Sequence, residues 1–171
     1  MDIADVEGLR PTSERIRETL FNWLAPHIHG ARCLDLYAGT GALGLEALSR
    51  GAASAVFVER DPVAEQQLRK NIAVLGAECA EVISTGALEF LESAAPTPFN
   101  IVFLDPPYAG NLLGETCRLL VERRQLAEDA LIYLEDERSR GEPDLPPGWK
   151  VVKNKTAGNV RYMLAKAGED D

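Results

Sequence analysis

The chain contains few of the residues that build metal sites, disulfide frameworks or membrane spans. Its three cysteines, Cys33, Cys79 and Cys117, lie far apart, and its two histidines are His27 and His29. Because neither set has the spacing of a metal site, we expect no bound metal and three buried thiols in a reducing compartment. Apolar runs are short and interrupted by charge, so we expect neither a signal peptide nor a transmembrane helix. These features predict a cytoplasmic protein without a membrane partner.

Positive charge is also scarce, with 18 Lys and Arg against 27 Asp and Glu and a net charge of −9. Non-specific binding of nucleic acid needs clustered Lys and Arg that neutralise phosphates, so the composition argues against a general nucleic-acid binder. Acidic residues are concentrated near both ends of the chain. We expect one domain over residues 10–166, between a loosely ordered acidic N-terminus, 1–9, and an acidic tail, 167–171.

Short apolar runs alternate with helical patterns along most of the chain. Strands are predicted at 33–36, 54–59, 81–84, 100–104, 130–135, 150–153 and 160–164. Helical patterns separate the first five strands, whereas a turn-rich link at 154–159 joins the last two. This order is typical of the α/β class. The sequence therefore predicts a seven-stranded, doubly wound, Rossmann-like sheet that is mostly parallel and ends in an antiparallel hairpin.

The fourth predicted strand is followed by Asp105, Pro106, Pro107 and Tyr108. The prolines cannot donate backbone hydrogen bonds, so the strand must end there, at the sheet edge where α/β proteins bind ligands. The Asp105 carboxylate and the Pro106 carbonyl would then accept hydrogen bonds from an amino group on a planar base stacked on Tyr108. The alternative is a proline-rich turn in which Tyr108 packs on the surface.

A glycine-rich turn, residues 39–44, has the GxGxxG pattern between the first strand and a helix, and Glu59 follows about 20 residues later. This pattern permits a dinucleotide-dependent oxidoreductase. However, Asp35 ends the first strand ahead of the glycines, where a carboxylate would repel a pyrophosphate but suit an ammonium group. S-adenosylmethionine has a ribose, a cationic amino-acid end and no phosphate, and it fits both carboxylates. Alternatively, the glycines would only allow the helix to pack tightly on the sheet, which would leave Asp35 and Glu59 unexplained.

The same strand ends also suggest contacts for the ribose and the adenine of the cofactor. Glu59 would accept hydrogen bonds from the ribose hydroxyls, and the backbone at 39–41 would approach the cofactor closely because no Cβ intervenes. Gly86, Ala87 and Leu88, after the third strand, would supply a backbone donor and an apolar wall for the adenine.

Three segments together resemble the RsmD family of class I S-adenosylmethionine-dependent methyltransferases: RPTSERIRETLFNWL at 10–24, DLYAGTGALGLEA at 35–47 and DPPY at 105–108. The resemblance runs from about Gly8 to Leu164. It implies methylation of the exocyclic N2 amine of a guanine in bacterial 16S ribosomal RNA, in a small ribosomal subunit or an assembly intermediate. We also expect a monomer. Family members usually begin with a basic segment, whereas the residues ahead of Arg10 are acidic here.

The resemblance and the pattern together give the expected site. The catalytic residues would be Asp105, Pro106, Pro107 and Tyr108. The cofactor would contact Arg10, Thr12, Asp35, Tyr37, Ala38, Gly39, Thr40, Gly41, Glu59, Arg60, Gly86, Ala87 and Leu88. Other amino substrates, such as adenine N6 in DNA or RNA or a glutamine side chain, remain alternatives, and so does the oxidoreductase.

Overall fold

The computed structural model describes residues 11–106, 112–141 and 143–168. Its elements in chain order are α1 (Pro11–Leu24), β1 (Arg32–Asp35), α2 (Ala42–Ser49), β2 (Ser54–Val58), α3 (Pro62–Leu75), β3 (Ala80–Ile83), α4 (Ala87–Ser93), β4 (Phe99–Leu104), α5 (Leu112–Glu122), β5 (Leu126–Glu137), a 3₁₀ turn (Arg138–Arg140), β6 (Lys150–Ala157) and β7 (Val160–Lys166). None of the helices within these ranges is long and apolar enough to cross a membrane.

The described strands form one seven-stranded sheet in the order β3-β2-β1-β4-β5-β7-β6. Strands β1 to β5 pair in parallel, and β7 runs antiparallel to both β5 and β6. The predicted sheet, mostly parallel with a C-terminal antiparallel hairpin, is therefore confirmed. The chain order reverses between β1 and β4, and their carboxyl ends form the crevice in which such sheets bind ligands.

Helices cover both faces of the sheet, and each face has its own core. On one face, the core contains Leu20 and Phe21 of α1, Leu68 of α3, and the aromatic sheet residues Phe57 and Phe103. On the other face, α4 and α5 cover a second cluster, which includes Leu91, Leu104 and Leu120. Each such side chain contributes about 1.5–3 kcal/mol to folding stability when it is fully buried. Packing on both faces of the sheet therefore keeps the strand ends in fixed positions.

Two local predictions were wrong. Residues 154–157 do not form a loop, because β6 continues to Ala157 and turns through Gly158, at φ +59°, and Asn159. Since β6 is an exposed edge strand, its polar side chains give no apolar pattern to signal a strand. Cys79 is exposed, whereas Cys33 and Cys117 are buried as predicted, and burial raises the pKa of each buried thiol to about 12.

Helix α2 packs closely on the sheet at Gly44. A Cβ there would come within 2.3 Å of Cε2 of the buried Phe57 ring of β2. Gly41 caps the helix at φ +91° and faces Leu68 of α3. The explanation by helix-on-sheet packing therefore holds at Gly44, whereas backbone conformation calls for glycine at position 41.

We predict that Gly44→Ala destabilises the protein by about 1–3 kcal/mol, because the methyl group must displace a buried ring in a close-packed core. Gly114→Ala is the matched control, since Gly114 lies in the first turn of α5 with open space around its Cα. There the substitution should be neutral or stabilise by up to about 1 kcal/mol, through the helix preference of alanine. Urea unfolding measures both, and equal effects at the two positions would contradict the packing argument.

Candidate active site

Four carboxyl groups of the described residues gather at the carboxyl edge of the sheet. Asp35 ends β1, Glu59 follows β2, Asp105 follows β4, and Glu135 lies near the end of β5. Electrostatic interactions join Asp35 to both Glu59 and Asp105, and Asp105 to Glu135. The fold therefore brings the three predicted acidic residues together with a fourth, Glu135, that the sequence analysis did not identify.

Asp35 is almost completely enclosed, with 3% of its surface exposed. Its Oδ2 accepts a hydrogen bond of 3.1 Å from the backbone N–H of Gly44, in the first turn of α2. Burial raises the pKa of Asp35 to about 7, against the opposing effect of that hydrogen bond, and the charge of Glu59 raises it further. Asp35 thus fastens α2 to the end of β1, in surroundings that favour its protonated form.

Glu59 holds the turn that follows β1. Its Oε1 accepts a hydrogen bond of 2.7 Å from Gly39 N–H, and its Oε2 accepts one of 2.8 Å from Asp61 N–H. Charge-assisted bonds of this kind are among the stronger hydrogen bonds in proteins, so the carboxylate is fixed in orientation. The neighbouring Arg60 is exposed.

The glycine-rich turn is held from both sides yet is open at Gly39. Ala38 N–H donates to the Val58 carbonyl at 3.1 Å, and Asn71 of α3 donates through Nδ2 to the Thr40 carbonyl at 3.0 Å. Gly39 has φ +57°, and no atom of the described residues lies within 4 Å of the place where its Cβ would be. Unlike Gly41 and Gly44, Gly39 leaves space that packing does not use, as a closely bound ligand would require.

Tyr37 does not direct its side chain into this space. Its hydroxyl forms a hydrogen bond of 2.7 Å with Thr116 Oγ1 of α5, and burial raises the pKa of the phenol. Tyr37 packs with the core on the α4 and α5 face of the sheet. Only its main chain adjoins the glycine-rich turn.

The segment after β3 lies beside the end of β2, because Glu59 N–H donates to the Ile83 carbonyl at 3.1 Å. Gly86 precedes α4, Ala87 is buried, and Leu88 packs partly buried against the core. These three residues therefore lie across β2 from Asp35, on the side where the sequence analysis expects the adenine.

Asp105 directly follows β4 and lies beside Glu135 of β5. The paired residues Phe103–Tyr133 and Leu104–Leu134 lead to Asp105 and Glu135 as the next pair. Asp105 is an exposed residue. Desolvation of its carboxyl group, followed by the charges of Glu135 and Asp35, raises the pKa of Asp105 well above the usual range. Pro106 is buried.

Some predicted residues lie outside the part of the chain that the structure describes. These are Arg10, Pro107 and Tyr108. Thr12 lies in the first turn of α1. Their roles stay predictions.

Glu135 and Tyr133 were not predicted from the sequence. Tyr133 is buried, and its pKa is raised well above its usual value by burial and by the charges of Glu135 and Asp105. A signal was present: Glu135 ends an apolar run, as Asp35, Glu59 and Asp105 do. Within the described residues, no group of three or more His, Cys, Asp or Glu side chains is arranged to hold a metal ion.

A family model described as "Conserved hypothetical protein 95" matches residues 1–166. Ribosomal RNA small subunit methyltransferase D of Escherichia coli (strain K12) is 51% identical, over all of this chain and 87% of that protein. The chain belongs to this family. The Haemophilus influenzae protein of the same name is 46% identical, over 96% of this chain and 86% of that protein. The family predicted from the three sequence segments, RsmD, is thereby confirmed.

Solved structures agree with the fold. A putative methyltransferase from Escherichia coli superposes with a TM-score of 0.87 at 51% identity, over 90% of this chain and 86% of the other. A putative methylase from Haemophilus influenzae gives 0.83 at 45% identity, over 93% and 100%. The seven-stranded sheet thus has a methyltransferase fold.

We predict that Asp35 makes the stability of the protein depend on pH. A carboxyl group whose pKa is raised in the folded state favours folding below its unfolded pKa, near 4, and this contribution is lost as pH rises through about 7. Asp35→Asn removes the ionisation but keeps an oxygen for Gly44 N–H. The stability of the variant relative to wild type should rise by about 2–3 kcal/mol from pH 5 to pH 8.

Urea unfolding at the two pH values measures this difference. Asp129→Asn removes a negative charge at an exposed site and serves as the control, for which the difference should stay constant. A difference for Asp35→Asn that does not change with pH would contradict the assignment of a buried, neutral Asp35.

Proposed function

We propose that this protein transfers the methyl group of S-adenosylmethionine to the exocyclic N2 amine of a guanine in 16S ribosomal RNA. The observation that carries the proposal is Asp105 at the end of β4, across the strand-order reversal from the glycine-rich turn. The relatives named small-subunit rRNA methyltransferases support the RNA class. The choice of guanine N2 rests on the family resemblance of residues 10–24 and 35–47.

The residues around the crevice fit the cofactor. The Glu59 carboxylate is fixed at the end of β2, where ribose hydroxyls would donate to it, and Gly39 leaves open space beside it. Asp35 lies at the end of β1, and a cationic amino-acid group beside it would favour its carboxylate form. When bound, S-adenosylmethionine supplies an electrophilic methyl group on a sulfonium.

The two residues that follow β4 would act on the amine. The lone pair of guanine N2 is delocalised into the ring, so the amine is a poor nucleophile. The Asp105 carboxylate and the Pro106 carbonyl accept hydrogen bonds from its two hydrogens and hold the lone pair toward the methyl group. The rate gain comes from this positioning and from negative charge placed beside the developing ammonium.

The substrate must be presented as an unstacked base. The guanine leaves its helix or loop to reach the crevice, and Tyr108 would then stack on it. With a net charge of −9 the protein lacks general attraction for RNA, which favours recognition of a folded target. We place this reaction on a small ribosomal subunit or an assembly intermediate in the cytoplasm, with the protein acting as a monomer.

We predict that Asp105→Ala lowers methyl transfer by at least about 100-fold, since it removes a group that stabilises the transition state. The assay follows incorporation of labelled methyl groups into small ribosomal subunits that lack the modification. Nucleoside analysis by mass spectrometry then distinguishes N2-methylguanosine from N6-methyladenosine.

Binding of S-adenosylhomocysteine should stay within about threefold of wild type in Asp105→Ala, because the cofactor contacts lie on β1 and β2. Asp129→Asn is the control of matched charge and should transfer methyl groups at the normal rate. Near-normal activity of the Asp105 variant would remove the basis of the proposal.

We predict that the purified protein binds S-adenosylhomocysteine and does not bind NAD, as measured by calorimetry. The Glu59 carboxylate, which already accepts from Gly39 N–H, opposes a pyrophosphate at the glycine-rich turn, whereas an ammonium group would favour the carboxylate form of Asp35. Binding of NAD alone would instead support the oxidoreductase.

A further inference from the structure

One strand of this acidic protein is basic. Strand β6 carries Lys150, Lys153 and Lys155 and no acidic residue, although the whole chain has a net charge of −9. All three lysines are exposed. Within the described residues neither Lys153 nor Lys155 forms an ion pair, whereas Lys166 of β7 lies 3.6 Å from Asp129. The positive charge of β6 is therefore available to a ligand outside the protein.

The register of the sheet places this charge level with the candidate active site. The row of paired residues that begins at Leu104 of β4 crosses β5 and β7 and ends at Asn154 of β6. Strands β4 and β6 run in the same direction, because β7 is antiparallel to both β5 and β6. Asp105 and Lys155, the next residue on each side, therefore lie at the same level of the carboxyl edge. Three strand spacings of about 4.8 Å separate them, or about 14 Å in total.

Lys153 and Lys155 project from the face of the sheet that α1 covers. Lys153 pairs with Leu164 of β7, and Lys155 pairs with Tyr162. Both partners belong to the core on the α1 face, and the Tyr162 ring stacks on Trp23 of α1 with 5.4 Å between the ring centroids. Because directly paired residues point to the same side of a sheet, the two lysines share this face. The packed core beneath them fixes the strand that presents their charges.

Acidic and basic groups are separated along the carboxyl edge. The ends of β1, β2, β4 and β5 hold Asp35, Glu59, Asp105 and Glu135, whereas β6 holds lysines. A nucleic acid at this edge presents uncharged bases and negatively charged phosphates. The acidic crevice repels phosphates, and the lysines attract them. Since phosphate contacts fix the position of a nucleic acid without reading its sequence, lysines at this distance from the crevice are suited to orient a strand whose base enters it.

We propose that the lysine surface of β6, formed by Lys153 and Lys155, binds phosphates of the substrate RNA a few nucleotides from the target base. This inference rests on the proposed function and deepens it by naming the surface that positions the RNA. Phosphates of one strand in a duplex follow each other at about 3.4 Å along the helix axis, so 14 Å corresponds to roughly four nucleotides. The strand would thus cross the ends of β5 and β7 between the two sites.

Edge-strand lysines also have a purely structural use, because their charge prevents another strand from pairing with an exposed edge. For that purpose Lys150, at the other end of β6, is as useful as Lys155. RNA binding instead requires the lysines nearest the carboxyl edge. Substitutions at the two ends of the strand therefore distinguish the two roles.

The test removes both charges of the lysine surface in Lys153→Ala/Lys155→Ala. The Kd for small ribosomal subunits that lack the modification, measured by filter binding at physiological salt, should rise at least about 10-fold. Because each phosphate contact releases counterions, the slope of log Kd against log salt should become less steep by about 1.4–1.8 for two lost contacts. The kcat at saturating subunits and the Kd for S-adenosylhomocysteine should stay within about threefold, since neither lysine lies in the crevice.

Lys150→Ala/Lys166→Ala is the matched control. These two exposed lysines pair with each other at the opposite end of the same hairpin, and their loss changes the net charge equally. The control should keep the Kd for subunits within about threefold of wild type. Lys153→Arg/Lys155→Arg keeps both charges and should do the same. Equal weakening in the two alanine variants, or self-association of both in sedimentation without any change in Kd, would assign the lysines to general charge or edge protection and overturn the proposal.

Binding and methyl transfer are measured on the same subunits, so that the two proposals can fail separately. Wild type that methylates subunits, together with a Lys153→Ala/Lys155→Ala variant of unchanged Kd and salt slope, would refute the lysine surface alone. Binding that depends on both lysines, without methyl transfer by wild type, would refute the proposed function alone. Absence of any binding by wild type would overturn both.

Discussion

Parallel pairing of β1 with β4 places Asp35 and Asp105 at one edge of the sheet, and each feature of the candidate site depends on this pairing. The register Asp35–Phe103 sets Asp35 one side-chain layer below Asp105 on the same face. The pairing of β4 with β5 then adds Glu135 beside Asp105. Asp35 is enclosed there whereas Asp105 is exposed, and neighbouring charges raise the pKa of both: Glu59 acts on Asp35, and Glu135 and Asp35 act on Asp105.

This concentration of acidic groups also limits what the crevice can bind. Phosphates bind where backbone N–H groups and the positive end of a helix are unopposed. Here the N–H of Gly39 is occupied by Glu59 and that of Gly44 by Asp35. The glycine-rich turn has the sequence of a dinucleotide site but the electrostatics of a site for a cation. The same carboxylates repel the RNA backbone, so the target base must enter the crevice while its phosphates remain outside.

The sequence was sufficient for features that depend on local chemistry. Strand ends marked by Asp35, Glu59 and Asp105 were identified because each acid follows an apolar run. Glu135 also follows an apolar run, but its place beside Asp105 depends on the register between β4 and β5, which no local pattern encodes. The distinction between Gly39, which leaves open space, and Gly44, which packs on Phe57, likewise requires the tertiary contacts. Tyr37 was assigned to the cofactor by resemblance, whereas its hydroxyl contacts Thr116 across α5.

A buried acid with a pKa of about 7 has a cost for folding that the surrounding core must offset. The Gly44 hydrogen bond opposes only part of the desolvation of Asp35, so the empty crevice favours the neutral form near neutral pH. A cation beside Asp35 reverses this preference, because it favours the carboxylate. A cationic ligand bound there, as the proposed function requires, would therefore release a proton from Asp35, and its affinity would rise with pH.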